Sequence, residues 1–233
     1  MPVLRRNMKG MTPAHPWLAQ LPALQQALRT DVLISLPTAH RLVGIPSAPT
    51  PADLILLASC TLGLYVHRYV GLTAQRYGQQ VSVPYLSLSR TPEIREKHIV
   101  RSLLALAEAR YMLRCPANPT PGVEPETPVL WQVQAHQKPS GAGSAGASIA
   151  DAVYQCEVST PAGRRLLIIP VEDDSGEYER GRVEEHMMTY ARVGPQIWVA
   201  GTWQRQRELF TIWQALYPER MNFYPLLSCW WDA

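Results

Sequence analysis

The run Leu166-Leu167-Ile168-Ile169-Pro170-Val171-Glu172-Asp173-Asp174 constrains the fold of this chain more than any other stretch. Its apolar part has the length of a buried strand, and it ends abruptly in three consecutive acids. Like charges side by side repel, so a strand end that carries them must solvate them or neutralise them with a cation. A further acid, Asp151, stands upstream of a second strand-like run, Ala152-Val153-Tyr154-Gln155-Cys156-Glu157-Val158. One carboxylate before a hairpin and another at the end of its second strand bring hard oxygen donors together. Such donors suit Mg²⁺, which keeps several waters and accepts one or two carboxylates plus a substrate phosphate. The candidate metal ligands, and the candidate catalytic residues if the site is an enzyme's, are Asp151, Glu172 and Asp174.

Metal-dependent nuclease folds use this arrangement, and one part of theirs is missing here. Those sites place a lysine two residues after the second acid, where it stabilises developing negative charge and orients the attacking water. Neither Asp174 nor Ser175 is positively charged, and Arg180 or Arg182 would have to reach back from the next helix. The residues therefore predict a nuclease-like fold more strongly than nuclease chemistry. A plainer reading of the same acids is a polar strand-to-helix turn, with its charges solvated and Gly176 serving the turn.

At 233 residues there is room for one large domain or two small ones, each with a workable core. No apolar run approaches the roughly 20 residues that cross a bilayer. The basic N-terminus (Arg5, Arg6, Lys9) lacks the apolar segment of a signal peptide. Cys60, Cys115, Cys156 and Cys229 are scattered and form no C-x-x-C pair, which argues against a zinc or redox motif. The expected setting is reduced and cytoplasmic. A phosphate-binding loop, a G-x-S-x-G elbow and H-E-x-x-H are all absent from the sequence. The net charge of +3 permits nucleic-acid binding without demanding it. The tryptophans, Trp198, Trp203, Trp213, Trp230 and Trp231, read as core or dimer interface, with the tail pair expected to be buried.

Proline and glycine divide the chain into a Pro-rich arm (1–51), a first domain (52–136), a Gly/Ser-rich linker (137–148) and a second domain (149–233). The arm holds a helical pattern from Trp17 to Leu28. In the first domain, Leu54, Ile55, Leu57, Ala58 and Leu62 recur at helical spacing, and a short helix is expected over Leu64–Val70. Val81–Leu88 reads as loop or strand. Thr91-Pro92-Glu93 opens a third helix, whose polar side carries Arg95, Lys97 and Arg101, with His98 beside them. Strands are expected at Tyr111–Cys115, which includes Arg114, and at Val129–Gln134. Two helices, a basic helix and a hairpin follow one another in a winged helix-turn-helix, whose third helix enters the major groove of DNA. Arg95, Lys97, His98, Arg101 and Arg114 are accordingly the candidate DNA contacts. The second domain reads as α/β: the two strands already described, a helix at Arg182–Arg192, a strand at Gln196–Ala200 and a helix at Gln204–Leu216.

Two short motifs carry a resemblance over roughly residues 52–217. Ala150-Asp151-Ala152 resembles a Pro-Asp-Ala motif, and Glu172, Asp174 and Gly176 match an E-x-D-x-G signature. Tyr190 fits a recurrent tyrosine on the helix that follows. Both motifs and the order of modules resemble the replication-relaxation family of plasmid and mobile-element proteins. The chain departs from that pattern at Ala150, where proline is usual, and at Ser175, where a basic residue is common. The resemblance implies an α+β chain with a winged helix-turn-helix followed by a degenerate restriction-endonuclease-like domain. It also implies a double-stranded DNA partner and regulation of replication, transfer or transcription, with a homodimer left open. Two alternatives stand beside it: an Mg²⁺-dependent DNA endonuclease, and a protein-interaction module whose basic helix packs on a partner.

Overall fold

The computed structural model describes residues 16–44, 63–73, 78–90, 94, 96–114, 125–133, 150–161 and 163–232. The arrangement is mixed α+β, with two sheets separated by one buried helix. None of the helices among the described residues is long and apolar enough to cross a membrane.

The N-terminal part begins with α1 (Pro16–Ala19) and α2 (Leu21–Asp31). Next come the short strand β1 (Leu33–Ser35) and α3 (Leu36–Val43). Ser35 caps α3 by accepting a bond from the Thr38 amide, and Gly44 ends it in the left-handed region. Strands β2 (Tyr65–Leu72) and β3 (Gln80–Ser87) form an antiparallel hairpin, and β1 pairs on the far side of β3 to give the order β1-β3-β2.

Leu64–Val70, expected as a helix, is thus corrected to strand. Aromatic and β-branched residues dominate it, and its faces alternate, with Tyr69 buried between exposed Arg68 and Val70. Val81–Leu88, left open by its composition, is mostly β3. The helix expected around Leu54–Leu62, the expected opening of the third helix at Thr91–Glu93 and the linker 137–148 lie outside the described residues.

Helix α4 (Lys97–Arg114) runs through the stretch expected to turn into a strand at Tyr111. No glycine or proline interrupts the sequence from Lys97 to Arg114, so nothing there breaks the helix. Leu103, Leu104, Leu106 and Ala109 are fully buried, which is the pattern of a helix covered on nearly all sides. It contacts β1 and β2 of the first sheet and β4, β6 and β7 of the second.

That second sheet has the order β4-β5-β6-β7-β8: β4 (Pro125–Val133), β5 (Ala152–Thr160), β6 (Gly163–Asp174), β7 (Gln196–Ala200) and β8 (Phe223–Leu227). The hairpin expected between Tyr111–Cys115 and Val129–Gln134 does not form. Strand β4 pairs instead with β5, so one sheet takes strands from both sides of the Gly/Ser-rich segment. The β4/β5 and β5/β6 pairs are antiparallel, and β6/β7 and β7/β8 are parallel. The parallel pairs are joined by α5 (Arg180–Ala191) and α6 (Trp203–Leu216).

Strand alternation sorts the core. Ile197 and Val199 face the α4 side, while Trp198 and Ala200 face α5 and α6. Trp198, Trp213 and Trp230 are buried as expected, but Trp203 stays 66 % exposed. Trp230 is buried within the chain itself, edge-on to Tyr69 at 5.2 Å, with Trp231 against it.

Candidate functional site

The three acids at the end of β6 are divided by the alternation of the strand. Glu172 and Asp174 point to the helices α5 and α6, and Asp173 points to α4. All three are buried.

Glu172 is held by α5. The Tyr190 hydroxyl donates to it at 2.9 Å, and His186 Nδ1 lies 3.3 Å from its other oxygen. Asp174 is held by its own turn and by α6. The Gly176 amide donates to it at 2.7 Å, and Arg205 reaches it through Nε at 3.0 Å and Nη2 at 2.8 Å. Burial raises the Asp174 carboxyl above its usual range, and Arg205 opposes that rise. Arg205 also donates to Glu208 and to the Tyr178 carbonyl. One cation therefore ties the strand end, the following turn and α6 together.

Asp173 has different company. Its amide donates to Asp151 Oδ2 at 2.8 Å, so the acid before β5 and the acid near the end of β6 meet. Burial pushes the Asp173 carboxyl well above the usual range; Arg101 of α4 opposes this, and Asp151 adds to it. Arg101 also bonds Glu177 at 3.1 Å and is itself buried. Two tyrosines border the cluster. Tyr69 of β2 senses Arg101, Glu177 and Asp173, with burial raising its phenol. The Tyr178 phenol is raised far more, by burial and then by Glu172 and Asp151. The Arg182 guanidinium sits 4.8 Å over the Tyr178 ring, and the His186 ring lies 5.6 Å away.

The trio expected as metal ligands, Asp151, Glu172 and Asp174, is not gathered around one point. Oxygens of Glu172 and Asp174 are engaged by protein donors, and Asp151 bonds the backbone of Asp173. Among the described residues no group of three or more His, Cys, Asp or Glu side chains is arranged to hold a metal ion.

Of the expected DNA contacts, Lys97 and His98 are exposed on the first turn of α4, His98 lying 3.3 Å from Glu96. Arg101, one turn further on, is turned inward to the acids, so it does not share a solvent face with Lys97. Arg95 and the side chain of Arg114 lie outside the described residues, although Arg114 itself ends α4. Sequence reasoning missed Arg205 and the inward role of Arg101. A signal existed for each. Arg205 shares the buried stripe of Leu209, Ile212 and Trp213, and Arg101 shares that of Leu104 and Glu108.

No protein-family model matches the chain, and neither the curated proteins nor the solved structures contain a match to it.

Proposed function

We propose that the chain is a DNA-binding protein that acts in replication, transfer or transcription of DNA, and that its five-stranded sheet belongs to a nuclease-like domain without nuclease activity. One observation carries the reading. A helix (α4), three antiparallel strands (β4, β5, β6), a crossover helix (α5) and a parallel strand (β7) follow in order, and Asp151 and Asp173 meet at one end of β5 and β6. Metal-dependent nucleases use that order of elements and that placement of carboxylates; the link is an analogy of fold. Exposed Lys97 on α4 and exposed Arg180 and Arg182 on α5 stand near that end of the sheet and suit phosphate contacts.

The test is fluorescence anisotropy of labelled duplex DNA across a salt series, in EDTA and then in Mg²⁺. Binding with a steep salt slope and no dependence on metal supports the reading. An absence of binding at low salt overturns it and favours a protein partner.

A second reading, an Mg²⁺- or Mn²⁺-dependent endonuclease, is favoured by one feature. Arg101 brings from α4 the positive charge that Ser175 does not supply. Metal-dependent nicking of supercoiled plasmid, abolished by Asp151→Asn, would establish that reading over the first.

A further inference from the structure

Of the seven tryptophans only Trp203, the first residue of α6, is exposed. A single surface aromatic needs no explanation, but Trp203 is not single. Helical spacing of four, seven and eleven residues sets Arg207, Phe210 and Gln214 on its face of α6, and all of them are exposed. Arg205, Leu209, Ile212 and Trp213 fill the opposite, buried side. Phe210 is 42 % exposed and sits about 10 Å along the axis from Trp203, with Arg207 between them. The helix has one acid, Glu208, and Arg205 bonds it. The outer face therefore presents two aromatic rings and a guanidinium, with no carboxylate among them.

That chemistry decides between occupants. A second copy that buried Trp203 on Phe210 would press Arg207 against its own equivalent, and the face holds no acid to separate the two. A double helix keeps its bases inside the stack and offers these rings no partner. An unpaired strand offers both parts: bases that stack on aromatic rings and phosphates that pair with arginine. Asp174 is in register with Ala200, so Trp203 opens α6 at the same end of the sheet at which Arg180 opens α5. We propose that the Trp203–Arg207–Phe210 face of α6 binds single-stranded DNA, each ring stacking on a base and Arg207 pairing with a phosphate. The choice of DNA over RNA rests on the function proposed above. The surface itself is separate from the residues assigned to duplex contact, so the two readings fail separately.

Labelled oligothymidylate is titrated in fluorescence anisotropy with wild type, with Arg207→Ala and with Trp203→Ala combined with Phe210→Ala. A labelled duplex and oligouridylate are run beside it. The double variant should bind oligothymidylate at least about tenfold more weakly than wild type, with duplex binding unchanged. Arg207→Ala should lower the single-strand salt slope by about 0.7. Oligothymidylate should also quench the tryptophan emission of wild type. Trp203→Phe, which keeps a stacking ring, should still bind but lose most of that quench, and it carries the test should the double variant melt early. No binding of oligothymidylate by wild type at low salt would overturn the proposal. So would undiminished binding by the double variant, tighter binding of oligouridylate, or a wild-type dimer in sedimentation that the double variant dissolves.

Discussion

Arg110, in the middle of the second half of α4, grips both carboxylate oxygens of Asp31, the last residue of α2, with Nε to Oδ1 at 2.6 Å. Both side chains are buried, 4 % and 1 % exposed. The next residue, Val32, is the one non-glycine residue with positive φ among those described, at 68°, a conformation that a β-branched residue adopts only under constraint. The bidentate pair therefore pins the chain where it turns from α2 into β1.

Removing one partner of such a pair strands a buried charge. Arg110→Ala should cost about 3–5 kcal/mol in urea unfolding. Adding Asp31→Ala should recover a substantial part of that loss. A double variant no more stable than Arg110→Ala would show that the guanidinium contributes through packing rather than charge.

At the end of β6, in the second sheet, Arg205 holds Asp174, and the same physics applies. Arg205→Met is expected to lose about 3–5 kcal/mol. Arg205→Lys should rescue little, because an ammonium cannot reproduce the forked contacts to Asp174, Glu208 and the Tyr178 carbonyl. Glu208 is 36 % exposed, so Glu208→Ala should cost under about 1 kcal/mol. Thermal melts of the three variants check this order.

Glu108 predicts a pH effect. Burial raises its carboxyl above the usual 4.5, against the opposing pull of Arg41, the Ser228 hydroxyl and the Cys229 amide. A raised folded-state value means that the folded protein holds the proton more tightly than the unfolded chain does. The contribution of Glu108 to stability is thus fully present below the unfolded value and is lost as pH rises through the folded one. Wild type should therefore gain stability relative to Glu108→Gln as pH falls from neutral towards 4.5. Melting temperatures of both proteins at matched pH values test it, and a gap that does not change with pH refutes it.

On the DNA side, replacing Lys97 and Arg182 with alanine together should weaken duplex binding and reduce the log–log salt slope by roughly 2. Unchanged binding would move the interface away from this end of the sheet.

Much of the second half was legible because it is locally coded. The apolar run of β6 ends where the acids begin, and the β7 and α6 patterns lie close to their observed ranges. The first half was misread for a physical reason. Tyr65–Leu72 is short and apolar, which suits either period, and only pairing with β3 settles it as a strand. Helix α4 read as a DNA-facing helix because Arg95, Lys97 and Arg101 are charged, yet Arg101 is buried against Glu177, and Glu108 and Arg110 further along are buried against Ser228 and Asp31, all partners remote in sequence. Nothing local encodes those partners. The site followed the same rule. The sequence put the acids together, but only the fold shows that Asp151 accepts from the backbone amide of Asp173 while Glu172 and Asp174 turn to α5 and α6.

Because β4 lies against β5, the strand ladder is closed by chain from the far side of the Gly/Ser-rich stretch. A fragment starting at Ala150 would lay bare the β5 edge and the apolar surface that α4 now covers, an invitation to aggregate. Cut within residues 137–148, the two pieces are complementary: each is incomplete alone, and each holds the template on which the other can fold.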